Sequence, residues 1–247
     1  MPPVATSPSV DSAAAAAATA FARDVAQAWA DHLGARLVGI YLIGSLAHGG
    51  FNERYSDIDM ALIVETLLPP DELDLLRSKA TALSKEHAAK LSLFWADADF
   101  SVGRFPPLDR ADLIDHAVTL IERRRVRPAR PTLAEMRAYL AGEPFRGWSQ
   151  QAVRFATLDE LPAEEQKRYL RALLYPARLL YSWETGRMSS NDEAVAFVEN
   201  RALGGPDFAI VRRTLECRNR GESPEALFAE RAKLTGLQAI CRRHMGL

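Results

Sequence analysis

The sequence predicts an α+β protein in two parts: strands and helices mix up to about residue 130, and only helices follow. Three observations carry this. Short apolar runs recur at 36–43, 58–65 and 91–96, with the length and make-up of buried strands. Pro128 and Pro131 then interrupt the chain. From Thr132 on, apolar residues fall at i, i+3 and i+4 in segments near 132–142, 161–185, 190–202, 205–220 and 223–244, which is helical spacing. The expected domains are therefore 1–130 and 131–247, the second a helical bundle of four to six helices. Two domains are also what 247 residues lead one to expect.

Taken in order, residues 1–10 carry Pro2, Pro3 and Pro8 and read as a frayed terminus. Asp11 or Ser12 can cap an Ala-rich helix that runs to Leu33 and stops at Gly34. The Ala run has no basic segment before it and is followed by Arg23 and Asp24, unlike a secretory signal. No stretch reaches the roughly 20 apolar residues of a membrane span. Pro69-Pro70-Asp71 starts a helix expected to reach Ala89, and a further helix is expected over 109–121. With 48% hydrophobic residues, 26% charged residues and a net charge of −1, the composition is that of a soluble globular protein. No global field draws it to nucleic acid or to an anionic membrane. Cys217 and Cys241 show no metal-ligand spacing, so free thiols in a reducing cytoplasm are expected.

The informative stretch is 41–65, YLIGSLAHGGFNERYSDIDMALIVE. An apolar strand ends in Gly44-Ser45. Gly44 permits a sharp turn and close approach of a ligand, and the following N–H groups and the Ser45 hydroxyl can cradle phosphate. Asp57 and Asp59 open the second strand. Residues two apart on a strand share a face, with Cα atoms roughly 6.7 Å apart. Two carboxylates at that separation repel by about 2.5 kcal/mol at an effective dielectric near 20. A hard divalent cation such as Mg²⁺, taking carboxylate and phosphate oxygens, removes the conflict.

Gly44-Ser45, an eleven-residue spacer and Asp57-Ile58-Asp59 resemble the signature of the DNA polymerase β-like nucleotidyltransferase superfamily. That resemblance implies a mixed sheet flanked by helices in the first domain. It also implies a triphosphate held at Gly44 and Ser45 and Mg²⁺ held by Asp57 and Asp59 for attack on the α-phosphate; Ser56, beside the acidic pair, is a further candidate for binding the nucleotide. The superfamily carries a third carboxylate on the next strand. Lys90-Leu91-Ser92 has no acid there; the available carboxylates are Glu86 before the run and Asp97 and Asp99 at its far end, of which Asp97 is the candidate to complete the metal site or take the hydroxyl proton.

Further along, Arg178-Leu179-Leu180-Tyr181-Ser182-Trp183-Glu184-Thr185-Gly186-Arg187, followed by Asn191-Asp192-Glu193-Ala194, resembles the C-terminal domain of aminoglycoside adenylyltransferases of the streptomycin/spectinomycin type. The resemblance makes Trp183, Glu184, Asp192 and Glu193 candidates for binding the acceptor. It implies transfer of AMP from ATP to a hydroxyl of a small molecule, of aminoglycoside or similar kind, with antibiotic resistance as the consequence. Two observations bear on the acceptor. Residues 145–247 hold 16 Lys and Arg against 13 Asp and Glu, which suits an anionic or neutral acceptor better than a polycation. The basic run Arg123–Arg127 lacks interleaved aromatics, which places nucleic acid behind small molecules. Because the strand at 91–96 has no acid at its start, a catalytically silent nucleotide-binding or antitoxin-like protein of the same fold is the alternative reading.

Overall fold

A computed structural model describes residues 10–126 and 128–247 of the chain. All but the last residue of the expected frayed terminus lies outside them, as does Arg127 of the basic run. The chain divides into two compact units, Met1–Phe105 with Ala117–Arg127, and Pro106–His116 with Pro128–Leu247. The boundary expected at residue 130 is therefore crossed earlier and more than once.

The first unit begins with helix α1 (Val10–Leu33), which turns at Gly34 into strand β1 (Leu37–Ile43). A short helix α2 (Ser45–His48) leads to β2 (Ile58–Val64). Helices α3 (Pro70–Leu83) and α4 (Lys85–Ala89) precede β3 (Leu91–Asp97) and β4 (Gly103–Arg104). After helix α5 (Pro107–His116), which groups with the second unit, β5 (Val118–Glu122) returns to the sheet. The strand order is β4-β3-β2-β1-β5. The β2–β3 pair is parallel and the others are antiparallel, so the sheet is mixed.

The sheet's register follows from its alternation. Ile58, Met60, Leu62 and Val64 of β2 join Ile40 and Leu42 of β1 in one buried cluster with Phe21, Val25 and Trp29 of α1 and Leu76 and Ala80 of α3. Trp29 is fully buried, and its indole N–H donates to the Leu76 carbonyl at 2.8 Å, so the ring's one polar atom is satisfied inside the core. Burying such side chains is worth about 1.5–3 kcal/mol each. The alternate residues of β2, Asp59 among them, necessarily face the other side of the sheet.

Two expectations for the helices are corrected. The helix expected over 71–89 breaks at Ser84, whose extended backbone and side chain cap α4 by accepting the His87 N–H. The helix expected to reach Ile121 ends at His116. Val118-Thr119-Leu120-Ile121 is rich in β-branched residues, and it pairs with β1 from Val118↔Leu42 to Glu122↔Gly39.

In the second unit α6 (Leu133–Ala141) starts from a capping box, in which Thr132 and Glu135 satisfy each other's backbone N–H groups. Helices α7 (Glu143–Thr157), α8 (Gln166–Thr185), α9 (Asn191–Asn200), α10 (Ala209–Asn219), α11 (Glu225–Phe228) and α12 (Lys233–Met245) follow. Gly142-Glu143-Pro144 reads as a break in the sequence and hides α7. Pro144 sits in the helix's first turn, where the missing N–H costs nothing. Phe145, Trp148, Ala152 and Phe155 then form the buried stripe.

Candidate functional site

The site is built at one end of the sheet, where β1 stops and β2 begins. Gly44 takes φ +66°, ψ −152°, a conformation that side chains with a Cβ rarely adopt. Space is a second reason for glycine: a Cβ there would fall within the Asp59 carboxylate, 3.1 Å from its Cγ. Ile43 pairs directly with Asp59, so the turn that carries Ser45 lies against the acid that opens β2. The Gly44 carbonyl accepts the N–H groups of Ala47 at 2.9 Å and His48 at 3.1 Å, which winds the single turn of α2.

The loop back to β2 is closed by Asn52, which is buried. Its side-chain oxygen accepts the N–H of Arg54 and of Tyr55 at 3.1 and 3.2 Å. Its backbone N–H donates to the Ser56 hydroxyl at 2.9 Å, and its carbonyl accepts the Ser56 N–H at 2.8 Å. Ser56 therefore fastens the loop immediately before Asp57. Lys90 holds the same segment from the other side: its ammonium donates to the Glu53 carbonyl at 3.0 Å, and its own carbonyl accepts the Ile58 N–H at 2.8 Å. The sequence reading missed Asn52 and Lys90 as positioning residues. The signal for Asn52 was present, because an Asn two residues before a polar turn favours an Asx turn; nothing local marks Lys90.

Asp57 and Asp59 are both partly exposed. Beside Ser45 a cavity of about 560 Å³ opens, lined also by Thr19 and Arg23 of α1 and by Gly49 and Gly50.

Asp97 does not join this group. In the parallel β2–β3 pair Asp59 lies opposite Ser92, whereas Asp97 lies opposite Val64. Five residues along a strand separate the two positions by about 16 Å. The Asp97 carboxylate is also committed elsewhere: it accepts the Ser101 hydroxyl at 2.5 Å and the N–H groups of Ser101 and Val102 at 2.7 and 3.2 Å. The Ser101 hydroxyl above all, with these N–H groups, holds Asp97 below the usual carboxylate range. Asp97 closes the turn between β3 and β4, and the residue flanking Asp59 on the neighbouring strand is Ser92.

With this geometry in hand the chain can be compared with known proteins. No protein-family model matches the sequence, and no curated protein matches it. Among solved structures, spectinomycin adenyltransferase AAD(9) from Enterococcus faecialis, with ATP and spectinomycin, is similar over 91% of this chain and 99% of its own, with a TM-score of 0.63 and 14% identity. The chain shares the fold of that adenyltransferase. At this identity the likeness concerns the path of the backbone.

The four acceptor candidates lie in the second unit, and each already has a partner there. Trp183 stacks under the Arg137 guanidinium, 5.3 Å from the ring centre, while its carbonyl accepts the Arg137 Nε–H at 2.9 Å. Glu184 meets His244 Nε2 at 2.7 Å. Asp192 accepts from the Asn219 amide at 3.1 Å, and Glu193 accepts the Tyr181 hydroxyl at 2.9 Å. The bond to Glu193 adds to the effect of burial in pushing Tyr181 up to about 12. Among the described residues, no group of three or more His, Cys, Asp and Glu is placed to hold a metal ion. Also among them, no helix is long and apolar enough to cross a membrane.

Proposed function

We propose that the chain is a Mg²⁺-dependent nucleotidyltransferase that moves AMP from ATP onto a hydroxyl of a small acceptor and releases pyrophosphate. The observation that carries this reading is the packing of the Gly44-Ser45 turn onto the Asp59 carboxylate, with Asp57 immediately before the same strand. A fold shared with a protein whose structure contains ATP and spectinomycin supports it.

The donor set fits the metal. Asp57 and Asp59 offer hard oxygen donors on a rigid sheet end, and a cation held by two protein carboxylates needs the phosphates to complete its shell. Mg²⁺ bound there would neutralise triphosphate charge and align the in-line displacement. The chain's own residues do the rest. Gly44 leaves room for Asp59 to keep its place, and Ser45 with the first N–H groups of α2 presents donors to the phosphates. Asn52, Ser56 and Lys90 hold the Asp57 segment so that little is reorganised on binding. The acceptor is proposed to be of the aminoglycoside class, bound by the helical unit around Trp183, Glu184, Asp192 and Glu193.

One observation favours a second reading. Ser92 stands opposite Asp59 where a carboxylate could take the attacking hydroxyl's proton, which suits a protein that binds nucleotide without turning it over.

The test is pyrophosphate release with Mg-ATP and a panel of aminoglycosides including streptomycin and spectinomycin, with Asp57→Ala/Asp59→Ala as the blank. Release that depends on an acceptor and disappears in the blank supports transfer. ATP binding without release across the panel supports the second reading. Turnover equal to wild type in the double variant overturns the assigned site.

A further inference from the structure

Within the second unit a cavity of about 620 Å³ is walled by Arg130, Thr132, Leu133, Thr185, Gly186 and Arg187. The Thr-Gly-Arg stretch of the sequence therefore does more than stop a helix. Behind the wall sits Asp115 of α5, whose side chain is only 4% exposed. Arg130 grips it with both terminal nitrogens, and Arg187 adds its Nε–H to Oδ2 at 3.2 Å.

One carboxylate thus opposes two guanidinium groups, and the wall keeps a net positive charge. Arg187 contributes only Nε to Asp115. Its two terminal NH₂ groups have no hydrogen-bond partner among the described residues, on a side chain that is 56% exposed. Gly186, at φ +67°, ends α8 in the left-handed conformation and turns the chain to deliver Arg187. The nearby acid, Glu135, is occupied by the N–H and hydroxyl of Thr132 at 2.7 and 2.9 Å.

We propose that this cavity binds a phosphate-type oxyanion through the terminal nitrogens of Arg187, with Asp115 as the residue that positions both arginines. A guanidinium fixed at Nε presents its two terminal N–H groups as a planar fork, which matches two oxygens of a phosphate. Prior fixing by Asp115 removes much of the side-chain entropy that binding would otherwise cost. The arginines hold Asp115 below the usual carboxylate range, so the arrangement stays charged at neutral pH. The phosphate chemistry has three possible sources: the free ion, a phosphoryl group on a small molecule, or the polyphosphate of a nucleotide.

Calorimetric titration of the full chain without metal distinguishes them, using inorganic phosphate, a hexose phosphate and ATP as separate probes. The expected result is saturable binding of at least one probe, weakened at least tenfold in Arg187→Gln and to a smaller extent in Arg187→Lys, which keeps the charge but loses the fork. Weakening confined to ATP identifies the nucleotide as the source, weakening for the hexose phosphate identifies a phosphorylated small molecule, and weakening for phosphate alone identifies the free ion. Arg187→Gln retains the Arg130–Asp115 pair and is expected to fold, melting at most a few degrees below wild type; should it not fold, Arg187→Lys carries the comparison. No saturable binding of any probe, or wild-type affinity in the folded variants, overturns the proposal.

Discussion

Gly44 and Asp59 compete for one volume: the place a Cβ of residue 44 would occupy is filled by the Asp59 carboxylate. Alanine at 44 therefore has two effects. It puts a side chain on a backbone that strongly favours glycine, at a cost of about 1–3 kcal/mol, and it displaces the carboxylate. Chemical denaturation is expected to register the first, and loss of Mg-ATP binding the second. Binding at the wild-type level in Gly44→Ala would detach the turn from the site.

Ser92 and Asp97 make opposite predictions. Asp97→Asn is expected to leave nucleotide binding and any turnover unchanged, because the residue closes a turn about 16 Å along the strand from Asp59's neighbour. Ser92→Asp adds a charge beside Asp59. At a separation near 4 Å it should attract the divalent cation by about 2 kcal/mol even with water-like screening, lowering the Mg²⁺ concentration for half-maximal nucleotide binding about thirtyfold. Magnesium titrations of the two variants decide the point.

Acid stability should report on Asp115. Its folded pKa is lowered, first by the Arg130 hydrogen bonds and then by the single one from Arg187. A depressed carboxylate contributes stability that is fully present above its unfolded value, about 3.9, and that is lost as pH falls through the lower folded value. Wild type and Asp115→Asn are expected to differ most at neutral pH and to converge in strong acid. A constant difference between their denaturation curves across that range would contradict the assignment.

Trp148 anchors α7. It is buried, its indole N–H donates to the Ala172 carbonyl at 2.8 Å, and its ring stacks on Tyr175 with centres 5.2 Å apart. Trp148→Ala is expected to cost about 3–5 kcal/mol, measured as a shift in the denaturation midpoint. A change under about 1 kcal/mol would mean that α7 is not a core element.

Much of the first unit was legible in the sequence because its signals are local. Apolar runs mark β1, β2 and β3, and the Gly-Ser turn and Asp-x-Asp spacing mark the site end of the sheet. What escaped reading depends on partners distant in sequence. Val118–Glu122 becomes a strand only because β1 offers it an edge, and the loop's hold on Asp57 depends on Lys90. Asp97 stands out in the sequence because it directly follows the apolar run at 91–96. A parallel strand pair brings together the starts of both strands, so the end of β3 lies away from the start of β2.

The passage of α5 into the second unit, with β5 returning to the first, has a consequence for inheritance and engineering. The backbone passes between the units at 105–106, 116–117 and 127–128. No single cut yields both units whole. A fragment ending at Phe105 lacks the strand that pairs with β1, and one beginning at Pro128 lacks the helix that carries Asp115. The halves can be exchanged with another protein only if the intervening helix and strand are divided between them, so substitution within the chain is expected to be tolerated better than swapping of modules.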